Sequence, residues 1–483
     1  MKIIYCYVRL LALLLVLSAC KKGWVDTPPT TGEQDSTCSL LNEYVRVATY
    51  NVEYDNRNNT SHLWESRKNL VANLFQIYQF DIVALQEPYV SQLADLKQLL
   101  PAYHYTGTTV RGSTTTDKQL SVGILYRPER LELLDSGMFW LSETPDVDSK
   151  GWDNSQYRVC NWGRFEQKNN GKQFYYFSVH LGFGTEAREQ SIALLQNKIQ
   201  AIANSMPAML AGDFNFSQYD DVYFDMFHTG FFYDSYLLAQ QQFNPYEGTY
   251  LDYGNQLSST NRIDHIFTAN CRSFQILSRK VLNDNFNGLY PSDHAPVMID
   301  LIIPESCNTP SHQTDTIKET FQYATIKGTY PMGNVIAPSG LWIFNGALVY
   351  HKEPTDYRPM APRLIGVNER GTPDLLGPGY IETGFGLDGL KRIAVEFVPM
   401  PDVYDVGPDF SLEIQYSTDD GVHWNSLGFT HTTKGIMATA EYEPNIPAGR
   451  QVKIRLINTS PQMDTNLLRG NRINILKVTF IKP

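Results

Sequence analysis

The stretch Met209-Leu210-Ala211-Gly212-Asp213-Phe214-Asn215 decides how the rest of the chain is interpreted. The apolar run over residues 207–211 predicts a short buried strand. Gly212 would let the backbone turn tightly, and Asp213 and Asn215 would share one face of an extended segment. The stretch therefore predicts a carboxylate and a carboxamide presented together at a strand end. Because Gly, Asp and Asn are ordinary turn residues, a plain surface turn is the alternative for this stretch taken alone.

Other predicted strands also end in polar side chains. They cover residues 45–51, 80–87, 173–180 and 262–267, and a last apolar run follows residues 292–294. Amphipathic helices are predicted over residues 61–78, 90–100 and 186–203. The polar side chains that these elements deliver are Asn51, Glu87, His180, Asp213, Asn215, Asp264, Asp293 and His294.

The order of the elements predicts an α/β (α+β) protein of two packed sheets flanked by helices. A chain of 483 residues is too long for one typical core, so two domains are expected. The first would span residues 42–305. A polar linker at 306–320 would lead to an all-β sandwich at 321–483, where short strands and turns follow one another without a clear helix.

Four carboxylates, two carboxamides and two imidazoles at strand ends suit the hydrolysis of phosphoesters. Hard carboxylate and amide oxygens are typical ligands of Mg²⁺, which neutralises a phosphate. An Asp can orient and deprotonate the attacking water, while imidazoles and carboxamides donate to phosphoryl oxygens. Each residue alone has a simpler interpretation: Glu87 as a solvated charge, each His as a structural histidine, and Asp264 as a turn cap.

Five motifs in order resemble the endonuclease/exonuclease/phosphatase superfamily. They are Asn51 after a strand, Leu85-Gln86-Glu87, Gly212-Asp213-Phe214-Asn215, Arg262-Ile263-Asp264-His265 and Ser292-Asp293-His294-Ala295-Pro296. The resemblance covers roughly residues 43–303 and implies a four-layered α/β sandwich. It also implies a metal-dependent phosphoester hydrolase acting on nucleic acid, a phospholipid head group or a small phosphodiester.

The resemblance also implies roles for individual residues. Glu87 would be the main Mg²⁺ ligand, with Mn²⁺ an alternative ion, and Asn51 and Asp293 would assist it. Asp213 would position the attacking water, and His294 paired with Asp264 would stabilise the transition state or act as the acid and base. The residues implied to bind the substrate phosphate are His180, Asn215 and Arg158. Arg67 is expected to pair with an acidic neighbour.

The first residues have the pattern of an export signal. Residues 10–17 are wholly apolar and too few to span a membrane as a stable helix. The sequence Leu17-Ser18-Ala19-Cys20 resembles a bacterial lipoprotein signal, which implies cleavage after residue 19 and lipidation of Cys20. We therefore expect a lipid-anchored protein of the cell envelope, with residues 20–41 as a flexible tether. An ordinary cleaved signal with a chance cysteine is the alternative.

Charge and cysteines limit the remaining choices. Cleavage after residue 19 would take the formal net charge from −11 to −13, which disfavours a dedicated binder of duplex DNA. The four cysteines beyond the signal lack close metal-ligand spacing, so a zinc site is not expected. Because Cys38 and Cys307 flank the first domain, a disulfide between them is predicted for an exported chain.

The C-terminal sandwich carries no catalytic cluster in its sequence. It resembles accessory modules of secreted bacterial proteins, some of which bind carbohydrate, so a glycan is one candidate partner and a spacer role is the other. Trp342 and Tyr350 are candidate platforms for a glycan, whereas Trp424 is expected in the core. We expect a monomer. The alternative to an enzyme is a glycan- or ligand-binding surface lipoprotein without catalysis.

Overall fold

The computed structural model describes residues 43–112, 119–228, 231–271, 273–307, 316–350, 360–366, 378–400, 409–461 and 471–483. The signal segment, Cys20, the tether and Cys38 lie outside these residues. Among the described residues, no helix combines the length and the apolar character needed to cross a membrane.

The first sheet contains the N-terminal strand of the described chain. Its seven strands are β1 (Tyr44–Asn51), β2 (Ile82–Tyr89), β3 (His104–Thr109), β4 (Leu120–Tyr126), β10 (Gln241–Phe243), β12 (Gln275–Val281) and β13 (Val297–Ile302). Their order across the sheet is β10-β12-β13-β1-β2-β4-β3. The central pair, β1 and β2, is parallel, so both strands end at the same edge of the sheet.

The second sheet contains the stretch around Asp213. Its six strands are β5 (Leu131–Trp140), β6 (Val159–Gln167), β7 (Gln173–His180), β8 (Ala208–Asp213), β9 (Phe232–Asp234) and β11 (Asp264–Ala269), in the order β5-β6-β7-β8-β11-β9. Here β7 and β8 form the central parallel pair. Each sheet thus has one central parallel pair whose carboxyl ends meet at one edge.

Helices cover the outer faces of the two sheets. They are α1 (Trp64–Tyr78), α2 (Val90–Leu99), α3 (Thr185–Ala203), α4 (Asp221–His228) and the short α5 (Ser235–Leu238). Side chains alternate across each strand. In β8, Met209 and Ala211 pack in the core between the sheets, whereas Ala208 and Leu210 pack with residues of α3 and α4. Residues of α1 and α2 likewise pack on β1 and β2. The predicted four-layered α/β sandwich is confirmed.

The C-terminal part of the described chain is mostly strands, as predicted. The third sheet contains β14 (Thr316–Glu319), β17 (Ala347–Leu348), β18 (Arg363–Leu364), β21 (Arg392–Pro399), β24 (Ala438–Tyr442) and β26 (Ile473–Ile481). The fourth contains β15 (Gly333–Ala337), β16 (Gly340–Asn345), β19 (Tyr380–Thr383), β20 (Leu387–Leu390), β22 (Phe410–Ser417), β23 (Asn425–Thr432) and β25 (Ile446–Asn458). Residues of both sheets share one apolar core.

Four expectations about the disulfide, the linker and the C-terminal tryptophans differ from the structure. Cys307 forms a disulfide with Cys271, at a Cα–Cα distance of 4.9 Å, so the predicted Cys38–Cys307 pair is wrong. Part of the expected linker, Thr316–Glu319, is a strand that pairs with β26. Trp342 is fully buried in the C-terminal core and cannot be a surface platform for a glycan. Trp424, expected in the core, is only half-buried, and the Arg455 guanidinium carbon lies 4.0 Å from its ring centroid.

Candidate active site

The two central parallel pairs bring the predicted site residues together. Asn51 ends β1, and Glu87 lies near the end of β2, in the first sheet. In the second sheet, strand register places His180 of β7 beside Asp213 of β8. The antiparallel strand β11 begins with Asp264, which is paired with Asp213 on the other side. Polar side chains that are far apart in sequence therefore meet between the ends of two packed sheets.

Asp213 lies at the centre of this group. Its side chain accepts hydrogen bonds from Asn51 Nδ2 at 3.0 Å and from the Asn215 backbone N–H at 3.0 Å. Its Oδ2 atom also lies 3.5 Å from His180 Nε2 and 3.7 Å from His294 Nε2. Burial and the neighbouring carboxylate of Asp264 raise the pKa of Asp213 to about 7.

The stretch around Asp213 differs locally from the prediction. Asn215 has φ of +53°, so the chain turns there and Asn215 is not part of an extended segment. Its Nδ2 atom donates to the carbonyl oxygen of Leu181 at 2.8 Å, which fixes the side chain beside the end of β7. Gly212 does not make a turn: it lies within β8, where an added Cβ would be 2.0 Å from the Val179 carbonyl oxygen.

His294 and Asp264 form a hydrogen-bonded pair. His294 Nδ1 lies 2.8 Å from Asp264 Oδ2, and both side chains are buried. Although burial alone would lower the pKa of His294, the charges of Asp264 and Asp213 raise it well above its ordinary value. The pair therefore holds a charged imidazole with its Nε2 atom directed at Asp213.

A second group of oxygen atoms surrounds Glu87. Glu87 has φ of +70°, and its Oε2 atom accepts the Tyr54 N–H at 3.4 Å. Burial and the charge of Asp293 raise the pKa of Glu87, while a hydrogen bond from Asn51 lowers it. Two carboxylates that repel each other beside a carboxamide are a donor set that fits a hard divalent cation. The predicted ligands Asn51, Glu87 and Asp293 therefore suit Mg²⁺ chemically.

Asp213, Asp264 and His294 form another group that could hold a metal ion, because one ligand atom from each lies within 4.8 Å of the others. The two groups adjoin, since Asn51 donates to Asp213. In the group of Asp213, Asp264 and His294, the Nδ1 atom of His294 already bonds to Asp264, which leaves Nε2 as the nitrogen available to an ion.

His180 and Arg158 form the wall beside Asp213. Arg158 Nη1 lies 3.4 Å from His180 Nδ1, and His180 Nδ1 lies 4.0 Å from Glu87 Oε1. Burial, together with the charges of Arg158 and His294, lowers the pKa of His180 well below its ordinary value. Arg158 is 3% exposed, and its Nε atom has no hydrogen-bond partner among the described residues. Arg158 and His180 therefore place side-chain nitrogen atoms beside the carboxylates of Asp213 and Glu87.

Some neighbours of the site were not assigned to it from the sequence. Glu53 has φ of +52° and forms an ion pair with the buried Arg67 at 3.3 Å, which confirms the expected acidic partner of Arg67. Burial and the charge of Asp293 raise the pKa of Glu53 to about 8. The signal available for Glu53 was its position two residues after Asn51, although β1 ends at Asn51 and Glu53 lies in the loop that follows.

Aromatic rings form the rim of the site. The His62 ring stacks on Tyr253 with centroids 3.6 Å apart, and the Tyr250 ring contacts His294 at 5.2 Å. On the Glu87 side, Tyr54 and Tyr89 contact each other at 5.4 Å. No periodic pattern of the sequence indicated these contacts, because segments that are far apart in the chain supply the rings.

Comparisons with known proteins agree with this geometry. Residues 48–294 match the model of the endonuclease/exonuclease/phosphatase family. A Bacteroides thetaiotaomicron protein of that family is 34% identical over 54% of this chain and 98% of its own, with a TM-score of 0.51. The mannosyl-6-phosphatase of the same organism is 34% identical over 54% of this chain and all of its own, with a TM-score of 0.50.

An uncharacterised protein of Acanthamoeba polyphaga mimivirus is 28% identical over 253 residues, which are 49% of this chain and 91% of the viral protein. The match to the family model includes the site residues from Asn51 to His294. The chain belongs to the endonuclease/exonuclease/phosphatase family.

Proposed function

We propose that this protein hydrolyses phosphoesters with a water molecule that Asp213 positions, in the presence of Mg²⁺. The observation that carries the proposal is the meeting of Asp213 with two imidazoles, at 3.5 Å from His180 and 3.7 Å from His294, next to the group around Glu87. A carboxylate in this position can accept a proton from water while nearby donors bind the phosphoryl oxygens.

The residues of the chain divide the chemistry as follows. Asn51, Glu87 and Asp293 would hold the divalent ion, which neutralises phosphate charge when bound. Asp213 takes a proton from the water whose oxygen attacks phosphorus, and the bond from phosphorus to the leaving oxygen breaks. Substrate-binding donors are supplied by His180, Asn215 and Arg158. Asp264 maintains the positive charge of His294, and His294 stabilises the negative charge that develops in the transition state.

For the substrate, we propose a sugar phosphomonoester as the leading class. The likeness to the mannosyl-6-phosphatase, 34% identity along its whole length, supports this choice. The stacked His62 and Tyr253 rings at the rim suit a flat contact with a sugar ring. The formal net charge of −11 disfavours long nucleic acid. Small phosphodiesters, phospholipid head groups and nucleic acids are the other classes to test.

For the location, we propose a lipid anchor on Cys20 and residence in the cell envelope. The support is the Leu17-Ser18-Ala19-Cys20 ending after an apolar run. Metabolic labelling with a radioactive fatty acid tests this part: the wild-type protein should be labelled and Cys20→Ala should not. Labelling of both, or of neither, would contradict it.

Hydrolysis is tested with purified protein and Mg²⁺, using mannose 6-phosphate, bis-p-nitrophenyl phosphate, a phospholipid and DNA as substrates. We expect release of phosphate from the sugar monoester and loss of activity with a chelator. Asp213→Asn should lower kcat by about 10²–10⁴-fold, the range usual for proton transfer by a positioned group. Glu87→Gln should raise the Mg²⁺ concentration that gives half-maximal rate.

Matched substitutions on exposed carboxylates serve as controls. Asp135→Asn and Glu132→Gln change the same groups on β5, where both side chains are exposed, and should leave the rate unchanged. The proposal fails if the wild-type protein cleaves no phosphoester with Mg²⁺, or if Asp213→Asn retains the wild-type kcat. Cleavage of DNA but of no sugar phosphate would keep the hydrolase and reject the substrate class.

A further inference from the structure

A small cavity lies where the second sheet and its loops meet the C-terminal strands. Gln218, Tyr236 and Arg262 line it on one side, and Thr325, Ile326 and Met360 line it on the other. Its volume is about 10 Å³, which is room for one occupant the size of a water molecule. The residues of the candidate active site do not line this cavity.

Arg262 presents an unsatisfied cation to this cavity. The residue is 4% exposed, and its Nε and Nη2 atoms have no hydrogen-bond partner among the described residues. The guanidinium carbon lies 3.6 Å from the centroid of the Tyr236 ring. This stacking covers one face of the guanidinium but provides no acceptor for Nε and Nη2. Buried N–H groups without acceptors cost free energy, so a partner is expected in the cavity.

The charges of the buried residues nearby do not balance. Arg279 is 2% exposed, and its guanidinium carbon lies 5.1 Å from the centroid of the same Tyr236 ring. Its Nη1 atom has no hydrogen-bond partner in the part of the chain that the structure describes. The buried carboxylate of this cluster is Asp234, whose oxygens accept the Tyr223 hydroxyl at 2.6 Å and the Tyr236 N–H at 2.8 Å. Among the described residues of this cluster, two guanidinium groups thus accompany one carboxylate, which also lies 3.5 Å from His265 Nδ1. The positive charge of one guanidinium is therefore not compensated there.

We propose that the cavity binds one small monovalent anion, chloride or another halide, against Nε and Nη2 of Arg262. The excess of one positive charge selects a monovalent anion over neutral water. The volume selects a monatomic ion over phosphate or sulfate. The N–H bonds of a guanidinium lie in its own plane, so Nε and Nη2 of Arg262 can both donate to one ion at the edge of the group.

The bound anion would connect two parts of the molecule. Arg262 lies two residues before Asp264, and its backbone N–H donates to Gln218 Oε1 at 2.8 Å. On the opposite wall, Thr325 Oγ1 accepts the Ile336 N–H at 2.9 Å, and Ile336 packs in the apolar core of the second sheet. An anion between these walls therefore stabilises the packing of the C-terminal strands against the strand that carries Asp264.

The test is thermal unfolding of the full mature chain at constant ionic strength, with sodium gluconate replaced stepwise by sodium chloride. Gluconate is monovalent but too large for the cavity. We expect a saturable rise in Tm of roughly 2–8 °C with chloride, as for any ligand that binds only the folded state. Arg262→Gln should lose the dependence on chloride, whereas the matched exposed control Arg450→Gln should keep it.

Crystals of the wild-type protein grown with bromide give a second measurement that needs no variant. We expect an anomalous peak within about 3.5 Å of the Arg262 guanidinium, the distance of a hydrogen-bonded ion. If Arg262→Gln fails to fold, the presence or absence of this bromide peak in the wild-type protein tests the proposal by itself. A wild-type Tm that does not respond to replacing gluconate by chloride, or a bromide map without a peak at Arg262, would overturn the proposal.

Discussion

Asp213 shows how single residues fix the geometry of this site. A backbone N–H and the Asn51 side chain donate to its two oxygens, so the carboxylate cannot rotate freely. The two imidazoles approach the same oxygen, Oδ2: His180 comes from the end of β7 and His294 from the loop before β13. The orientation of the proposed base is therefore set before any substrate binds, which lowers the cost of reaching the transition state.

The first prediction concerns Asp264, which supports His294. We expect Asp264→Asn to lower kcat by about 10²–10⁴-fold, because an amide neither maintains the imidazole charge nor fixes its tautomer. Hydrolysis of the best substrate and thermal unfolding should be measured together. Asp135→Asn, an exposed carboxylate, is the matched control. If Asp264→Asn kept the wild-type Tm and the wild-type kcat, the hydrogen bond between Asp264 and His294 would have no role in catalysis.

At this scale, the sequence was informative where a polar residue adjoins an apolar strand. Asp264 could be named because it belongs to an alternating strand, and His294 because it precedes the apolar run that forms β13. The ion pair of Glu53 and Arg67 could be foreseen only as an unspecified acidic partner, because it depends on how α1 packs. The prediction that Gly212 makes a turn was wrong. Glycine is required there because the Val179 carbonyl oxygen of the neighbouring strand lies too close for a side chain, and only the pairing of the two strands reveals this contact.

The elements determine the site through strand register. Within the second sheet, His180 is paired with Asp213, and Asp213 with Asp264. A slip of one residue would move every side chain to the opposite face and separate the three groups. Strong apolar strands such as β8 were predictable. The edge strand β3, which contains Gly107 and mainly polar residues, was not, because it has weak periodicity and depends on β4 for its hydrogen bonds.

The second prediction tests the close contact of β7 and β8. Gly212→Ala would place a Cβ atom 2.0 Å from the Val179 carbonyl oxygen, so the two strands must separate. We expect a loss of about 1–3 kcal/mol in unfolding free energy, as for other overpacked sites, and reduced hydrolysis. Gly328→Ala is the control, since its Cβ would meet only a ring atom at 3.8 Å. Equal denaturant midpoints for both variants would contradict the prediction.

The third prediction concerns Lys327, which links two segments before and after β16. Its Nζ atom donates to the carbonyl oxygens of Thr329 and Ala347. Burial lowers the pKa of Lys327 from 10.5 to about 8. The unfolded chain therefore holds this proton more tightly than the folded chain, and the free energy of unfolding should rise between these two pH values.

Lys327→Met would remove this pH-dependent gain. We expect the Tm of the wild type to rise relative to that of the variant as the pH increases from 7.5 to about 10. The exposed Lys318→Met is the control, and its Tm should follow that of the wild type. Parallel Tm curves for the wild type and Lys327→Met would show that Lys327 has an ordinary pKa in the folded protein.

At the scale of the whole molecule, the two halves share an apolar interior. Ile336 of β15 belongs to the core of the second sheet, and Tyr323 and Leu341 pack against it. The order of the elements predicted the fold class of each half. It could not predict this contact, because the side chains that form it come from separate sheets. Cysteine pairing was equally undetermined, because four cysteines allow three sets of two disulfides and sequence alone does not select among them.

The fourth prediction tests the disulfide that the structure contains. Cys271 and Cys307 are 36 residues apart, and closing such a loop stabilises a folded chain by about 3–4 kcal/mol in the chain-entropy model. We expect Cys271→Ser with Cys307→Ser to lower the free energy of unfolding by that amount under oxidising conditions. A reductant should lower the stability of the wild type but not of the double variant. The buried free Cys160 provides the control, because Cys160→Ser should leave the response to reductant unchanged.

Peptide mapping by mass spectrometry should find Cys271 joined to Cys307, and a Cys38–Cys307 peptide would contradict the prediction.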